Sequence, residues 1–383
     1  LYASVLGGGQ ASPTLLYPAA AWSRWVGDDI ASLRAFSAVH GLLLLLAIAG
    51  VLAWQARDGW VFGLVVLLGA SSPWWFAHSR LFWDPIIGAS WWGLALAAWW
   101  AGRPPAMRTQ SRLLCWSLAA VAAAAAVYAY PPIRVQLLAS AFVILLLDWR
   151  TLRLAGWGVL AVWALFALLL VPLAWLYLQD GGFAGRGAML AIWNPGWLSG
   201  QQADLWDLPR IALENLGRHL DPRYLLLTGD SNLRHGSGFG GLLGPVEWTL
   251  VLLTLLLTPR FFLRRECWLL LGLVLAGLLG AALTWEGLPH ALRSLGAFGP
   301  WLLWLGLALS AQMRVLAQME RARVTALLLL VAALAGGRYG WDYFVDFPGR
   351  STAWFRGHVA PEFKLAKEYF RLQQLGAECR PPI

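Results

Sequence analysis

Charge, lysine and cysteine are all scarce in this chain of 383 residues. Charged residues make up 13% of the sequence and hydrophobic residues 59%, whereas a soluble domain carries roughly 25% charged residues. So little charge cannot cover a globule of this size in water, which excludes a soluble enzyme and a disordered chain. The net charge of +9 comes almost entirely from arginine, because Lys364 and Lys367 are the only lysines. No basic run with interleaved aromatics is present, so nucleic acid is not a predicted partner.

The sequence also lacks the motifs of several enzyme classes. Three widely separated cysteines, Cys115, Cys267 and Cys379, predict neither a structural disulfide nor a metal cluster. No Walker loop and no Rossmann fingerprint is present, which disfavours nucleotide binding. No readable catalytic triad indicates a serine nucleophile.

Long apolar segments predict the fold class. Ten of them have about the length that crosses a bilayer as a helix, and 26 tryptophans fit interfacial belts. We therefore predict an all-α, polytopic membrane protein, and we read residues 12–26 as an interfacial amphipathic helix. The ten predicted spans are 37–54, 60–76, 85–101, 113–129, 135–149, 155–176, 242–258, 267–284, 295–310 and 324–336.

The arginines between these spans predict the orientation. Alternate loops hold 12 of them, and the short loops between hold three, Arg80, Arg134 and Arg293. The arginine-rich loops are expected in the cytoplasm. The loop 177–240 and the residues from 337 onward then face outward. This divides the chain into a transmembrane domain, 1–336, and a short extracytoplasmic tail, 337–383.

Ionisable residues gather in three short outer loops, where they are costly unless they face a wet cavity or a partner. The loop 72–85 carries His78, Arg80 and Asp84, and Tyr130 and Arg134 follow in the next. The third carries Glu286, His290 and Arg293. Together they predict an arginine-rich pocket, because guanidinium groups bind phosphate bidentately. Simpler interpretations are an Arg80–Asp84 ion pair, an interfacial role for Arg134, and helix capping by Asp84.

The long outer loop holds a second polar group. Asp230, Asn232, Arg234 and His235 lie in a Gly- and Ser-rich segment, and turn chemistry alone explains part of that composition. We expect these four residues to line the cavity. His78, Tyr130 and His290 are expected to line it too. The spacing of His78 and His290 does not indicate a metal site, so the metal content stays unknown.

Several segments resemble one family. YAYPPIR (128–134), LLLTGDSNLRHG (225–236) and LPHALRSLGAFGPWLL (288–303) are similar to bacterial GT-C glycosyltransferases. The resemblance is closest to the branch of protein O-mannosyltransferases and lipid A aminoarabinose transferases. It extends to residues 12–41 and covers nearly the whole chain in order.

The resemblance implies a helical bundle with outer loops packed over a cavity at the outer leaflet. It implies transfer of a sugar from a polyprenyl-phosphate donor to an extracytoplasmic acceptor, which could be lipid, glycan or protein. Arg80, Arg134 and Arg293 would bind the donor phosphate. Asp84 would act as the acceptor's base or hold a divalent cation beside that phosphate. The expected location is the bacterial cytoplasmic (inner) membrane, with the active site facing outward.

One departure from the family affects the catalytic assignment. The family's leading catalytic carboxylate lies in the first outer loop, and neither Asp28 nor Asp29 matches its position. We expect one helix and that carboxylate to be missing, and hence this chain to be inactive alone. Two other functions stay open: a surface-polysaccharide ligase or polymerase, and a non-enzymatic secondary transporter. The sugar, the acceptor and the oligomeric state are not indicated by the sequence.

Overall fold

The computed structural model describes residues 3–5, 9–179 and 185–356, most of which are helical. Two short strands, β1 (Ala3–Val5) and β2 (Gly9–Ala11), pair antiparallel with Ala3 opposite Ala11. The α-helices of the described residues are, in chain order, α1 (Pro13–Val26), α2 (Ile30–Ala56), α3 (Gly59–Ser71), α4 (Pro73–His78), α5 (Asp84–Ala101), α6 (Thr109–Ala129), α7 (Pro131–Arg153), α8 (Gly158–Gln179), α9 (Gly185–Leu190), α10 (Pro195–Gly200), α11 (Leu208–His219), α12 (Pro245–Leu257), α13 (Arg265–Ala282), α14 (Phe298–Val315), α15 (Gln318–Trp341) and α16 (Phe347–Arg356).

All ten predicted spans are helices, namely α2, α3, α5 to α8 and α12 to α15. Among the described residues, seven helical segments are long and apolar enough to cross a membrane. Of the other three, α3 and α12 have 13 residues each, or about 20 Å of helix against a hydrocarbon core of about 30 Å. Helix α5 contains Asp84 and four tryptophans, which lower its mean hydropathy.

Several helices are longer than the apolar runs that predicted them, and the difference is largest for α2, α7 and α15. Helix α7 extends past 135–149 at both ends, and α15 extends past 324–336. A π-helical turn, Asp342–Asp346, joins α15 to α16, so position 337 lies inside a helix that runs on to residue 356. The rest of the predicted tail, 357–383, lies outside the described residues.

The segment 12–26 forms the predicted helix, α1, and its position at the membrane interface stays a prediction. Ser12 caps it, because its hydroxyl accepts a hydrogen bond from the backbone N–H of Thr14 at 3.2 Å. Trp22 Nε1 donates to the carbonyl of Ser32 at 3.1 Å, which ties α1 to the start of α2. Trp25 is 90% exposed and is thus available to the membrane interface.

At the end of the bundle predicted to be cytoplasmic, buried charged side chains hold neighbouring helices and turns together. Arg103 donates to both carboxylate oxygens of Asp148, at 3.0 and 2.9 Å, and Asp148 is fully buried. Arg112, also buried, donates to the backbone carbonyls of Gly102, Pro104 and Leu154. These bonds connect the end of α5 with α7 and with the turn before α8.

At the opposite end, loops that are distant in sequence meet. Trp74 Nε1 donates to the carbonyl of Ala291, and the Trp74 backbone N–H donates to the carbonyl of Leu242, both at 3.0 Å. The Trp75 ring stacks on Phe298 with centroids 4.5 Å apart. The segments before α5, before α12 and before α14 therefore share one packed layer, which contains most of the predicted site residues.

Candidate functional site

Asp230 lies at the centre of this layer. It is 4% exposed, and both carboxylate oxygens accept backbone N–H groups at 2.8 Å: Oδ1 from Asn232 and Oδ2 from Ala291. The first bond is an Asx turn, which shapes the loop locally. The second reaches the segment between α13 and α14. A single carboxylate thus ties together two loops that lie 61 positions apart.

One histidine, His235, lies against this carboxylate, and a second, His290, stacks on His235. His235 Nδ1 lies 3.3 Å from Asp230 Oδ2. The His235 ring stacks on the ring of His290, with centroids 4.3 Å apart and planes inclined by 26°. Asp230, His235 and His290 each offer a ligand atom, and these three atoms lie within 4.8 Å of one another. The chain spacing of these histidines does not indicate a metal site, whereas the fold brings together a set that could hold an ion.

His219 and His78 complete the polar group around Asp230. The backbone N–H of His290 donates to His219 Nε2 at 3.0 Å. His78 is close enough to His235 and Asp230 to interact with them electrostatically. Burial, as the largest cause, lowers the pKa of His78 to about 4 and also lowers the pKa of His219 and His290. These three imidazoles are therefore neutral at pH 7.

Hydrogen bonds determine which ring nitrogens are available. Nδ1 of His219 lies 2.8 Å from the Asn215 carbonyl and must donate to it, while its Nε2 accepts from His290, so both nitrogens are used. Nδ1 of His78 likewise donates to the carbonyl of Trp74 at 2.7 Å. Its Nε2 is buried and has no hydrogen-bond partner among the described residues. His78 thus presents one unused lone pair inside the site.

The loop after Asp230 is attached to α16, the last helix among the described residues. Arg234 Nε donates to the carbonyl of Trp354 at 2.9 Å, and Asn232 Oδ1 accepts from the Arg234 backbone N–H at 3.0 Å. Arg350 donates to the carbonyl of Ser237 at 2.9 Å and to the buried carboxylate of Asp342 at 2.8 Å. Asn232 and Arg234, predicted to line a cavity, therefore shape the loop and fasten it to α16.

Asp84 is the first residue of α5, not its cap. The preceding Trp83 occupies the cap position and makes no side-chain bond to the helix. The Asp84 carboxylate accepts the backbone N–H of Ser12, and its Oδ1 is buried without a hydrogen-bond partner among the described residues. The capping interpretation is thus wrong. Asp84 points at the start of α1 and retains one unused oxygen.

Arg80 does not pair with Asp84. Its guanidinium carbon lies 3.9 Å from the ring centroid of Phe76 and 5.4 Å from that of Phe344. The described residues contain no ion pair to Arg80, and its Nε is buried without a hydrogen-bond partner among them. A cation held between aromatic faces in this way keeps its N–H groups for another acceptor.

The other two predicted phosphate ligands have different neighbours. Arg293 donates to the carboxylate of Glu286 at 2.9 Å and to the hydroxyl of Thr284 at 3.0 Å. Arg134 donates to the carbonyl of Val127 and to the hydroxyl of Tyr177 on α8. Tyr130 occupies the position before α7, makes no side-chain capping bond, and packs partly buried against the core. Arg293 therefore lies beside His290, whereas Arg134 contacts α8. That Arg293 and Arg134 bind the same phosphate stays a prediction.

Comparison with known proteins supports the fold. No protein family and no curated protein matches the sequence significantly. The archaeal oligosaccharyltransferase AglB of Archaeoglobus fulgidus, solved with an inhibitory peptide and a dolichol-phosphate, matches 94% of the chain with a TM-score of 0.50 and 16% identity. The described helices have the GT-C membrane glycosyltransferase fold. Two further solved structures have somewhat lower scores. They are ArnT from Cupriavidus metallidurans in the apo state (TM-score 0.48, 15% identity, 84% of this chain) and the Archaeoglobus fulgidus oligosaccharyltransferase tethered to an acceptor peptide (0.49, 16%, 87%).

The match covers only part of these proteins. The chain spans about half the length of the solved structures, with 53% of ArnT and 51% of AglB covered. The likeness therefore concerns the membrane fold, and it assigns no residue to a catalytic role.

Several residues in and around the polar cluster at Asp230 were not among the site residues predicted from the sequence. His219 was missed because it ends an amphipathic helix, where a histidine is an ordinary C-terminal residue. Asp342 and Arg350 were missed because they lay in the predicted tail. The four glycines between positions 236 and 241, in the loop between Asp230 and α12, were an available signal that a backbone packs closely here. A Cβ on Gly241 would lie 2.2 Å from the carbonyl oxygen of Leu225.

Proposed function

We propose that this protein transfers a sugar from a polyprenyl-phosphate donor to an acceptor on the extracytoplasmic side of a bacterial cytoplasmic membrane. One observation carries the proposal: the loops at one end of a GT-C bundle converge on a buried polar group containing Asp230, four histidines and Arg293. A packed membrane bundle does not bury so many ionisable side chains together for stability alone. The dolichol-phosphate in the AglB structure is a donor-type lipid of the same chemical kind.

The proposed chemistry needs few groups. Attack of an acceptor on the anomeric carbon releases a lipid phosphate, which leaves without a strong general acid. Arg80 and Arg293 would hold that phosphate and stabilise its developing charge, with Arg134 as a third candidate. Asp84 would accept the proton of the acceptor through its unpartnered Oδ1. The arginine distribution supports an outward-facing site.

Transfer assays test the proposal directly. The full-length protein, with any residues that precede Leu1, is reconstituted in liposomes and supplied with a polyprenyl-phosphate-linked monosaccharide carrying a radiolabel. Release of polyprenyl phosphate together with labelled product is expected. Turnover of pyrophosphate-linked oligosaccharides alone would instead favour the ligase or polymerase alternative. Movement of a solute across the membrane without bond cleavage would favour a transporter.

The phosphate-binding role of Arg293 has its own test. Arg293→Lys keeps the charge but loses the planar fork, so we expect donor lipid to bind about 10-fold more weakly or worse. Arg210→Lys is the matched control, because Arg210 belongs to the long outer loop and is exposed, with side-chain partners Asp207 and Glu214. Unchanged donor affinity in both Arg293→Lys and Arg293→Ala would remove this residue from the site.

A further inference from the structure

We infer that Asp230, His235 and His290 form a binding site for a divalent first-row transition metal of the Zn²⁺ type. Binding of the ion is independent of the proposed glycosyl transfer, since it requires neither donor nor acceptor. The three ligand atoms already lie within 4.8 Å of one another in a layer that is largely shielded from solvent. The ligand set is two imidazoles and one carboxylate, which zinc sites use repeatedly with a fourth position left open.

The distance between Asp230 and His235 is the distance expected between two ligands of one metal ion. Their Oδ2 and Nδ1 atoms lie 3.3 Å apart, yet Nδ1 of His235 is buried and has no hydrogen-bond partner among the described residues. Two atoms bound at about 2.0–2.1 Å to a tetrahedral ion lie about 3.3 Å apart. The separation is thus long for a hydrogen bond between these groups and matches one edge of a coordination tetrahedron.

The surrounding bonds orient the proposed ligands before any ion binds. Asp230 is fixed by the backbone N–H groups of Asn232 and Ala291, both at 2.8 Å. The backbone of His290 is held by His219, which in turn donates to the Asn215 carbonyl. Nδ1 of His290 accepts a 3.3 Å bond from the Arg293 backbone N–H, a weak contact that coordination at this nitrogen would replace. Such supporting bonds are typical of metal sites in proteins.

The charge state of the histidines also suits a metal. Two stacked imidazolium rings would repel each other, so the contact between His235 and His290 requires at least one neutral ring. Nδ1 of His290 accepts the Arg293 backbone N–H and must therefore carry a lone pair, so the His290 ring is a neutral one in this geometry. His78 lies nearby with an unused, buried Nε2 and its Nδ1 bonded to a carbonyl, an arrangement typical of metal-binding histidines. His78 is therefore a candidate for the fourth ligand if its side chain moves inward.

Imidazole ligands determine which ion is expected. Zn²⁺, Co²⁺, Ni²⁺ and Cu²⁺ accept imidazole readily, whereas Mg²⁺ and Ca²⁺ prefer all-oxygen sites. The small cavity lined by Asp230 and His235 has a volume of about 20 Å³, which is room for about one water molecule. An open coordination position could then take water or a phosphate oxygen.

Metal binding can be measured on the purified protein in detergent without any substrate. After chelation and removal of the chelator, Co²⁺ is titrated and its visible absorption is followed, and Zn²⁺ affinity is obtained by competition. We expect one ion per chain, the intense absorption of four-coordinate Co²⁺, and no displacement by Mg²⁺. Background binding with no such spectrum in the wild-type protein would overturn the inference.

Variants separate the site from adventitious binding. Asp230→Asn keeps one oxygen, which can accept only one of the two backbone N–H groups, whereas His235→Ala removes a second ligand and leaves both of those bonds in place. Each should weaken Zn²⁺ binding by more than the about 10–100-fold seen when only a supporting residue is lost. His40→Ala is the matched control, because His40 is half-buried in α2 and its Nδ1 donates to its own helix at the Phe36 carbonyl. Equal affinity in His235→Ala and His40→Ala would disprove the site.

The outcomes for the metal and for the transferase are distinguishable. Specific metal binding in a protein that transfers no sugar would leave the site intact and contradict only the proposed function. Sugar transfer that persists in the wild-type protein without specific Co²⁺ or Zn²⁺ binding would contradict the metal site alone.

Discussion

Asp84 is the residue for which the structure changes the interpretation most. Because α5 begins at Asp84 itself and its carboxylate accepts the Ser12 N–H, the side chain contributes nothing to capping. Asp84→Asn should therefore fold normally, since an amide oxygen can still accept that N–H. The amide cannot accept a proton from the acceptor, so we expect turnover of the full-length protein to fall by about 10²–10⁴-fold. Initial transfer rates and thermal unfolding of the purified variant measure the two effects separately.

The same substitution at a true cap provides the control. Asp29 Oδ1 accepts the backbone N–H of Ser32 at 2.7 Å and caps α2. Asparagine caps a helix about as well as aspartate, so Asp29→Asn should retain both stability and activity. Near wild-type turnover by Asp84→Asn would refute the proposed base.

At this scale the sequence indicated residue types but not partners. Asp84 and His290 were predicted as site residues because ionisable groups beside a membrane are costly. Asp230 and His235 were predicted from the polar segment of the long outer loop. The contact between His235 and His290 joins two loops whose separation of 55 positions no local pattern reveals. Likewise, nothing in the spacing of Arg80 indicated its position between two aromatic rings.

At the scale of elements, close helix packing depends on single glycines. A Cβ added to Gly277 of α13 would lie 2.5 Å from Cα of Ala297, just before α14. This backbone cannot move away cheaply, so Gly277→Ala should destabilise the bundle by about 1–3 kcal/mol. The test is the midpoint of thermal unfolding in detergent. Gly50→Ala in α2, where a Cβ would meet nothing within 4 Å, should cause no loss.

A Gly277→Ala protein as stable as the Gly50→Ala protein would show that α13 and α14 can separate without cost. That result would also weaken the case for a rigid layer around Asp230, since the segment carrying Ala291 and His290 lies between these two helices.

The helices themselves were predicted well because burial in lipid demands long apolar runs. Their ends were predicted less well. Helix α15 begins with Gln318 and Glu320 and continues through Arg338, and a hydropathy window excludes such residues although the helix does not. Helix α3 ends early for a local reason, since Pro73 interrupts the apolar run 60–76 and starts α4.

At the scale of the whole molecule, the two ends of the bundle differ in chemistry. One end holds the Arg103–Asp148 pair and the arginine-rich loops, and the other holds Asp230 and the histidines. Only the positive-inside rule relates these ends to the two sides of the membrane. The orientation is thus a prediction, and the proposed use of an extracytoplasmic acceptor depends on it.

Cysteine labelling of intact cells tests this orientation. In a background with the native cysteines replaced by serine, an impermeant reagent should label a cysteine at Ser231, which is exposed near the histidine cluster. It should not label one at Arg108 or Arg264, which are exposed at the opposite end, until the cells are made permeable. Because all three positions are accessible to solvent in the folded protein, differences in reactivity report the membrane side and not burial. Labelling at Arg108 or Arg264 in sealed cells, with none at Ser231, would invert the topology, place Asp84 and Asp230 in the cytoplasm, and require a cytoplasmic acceptor.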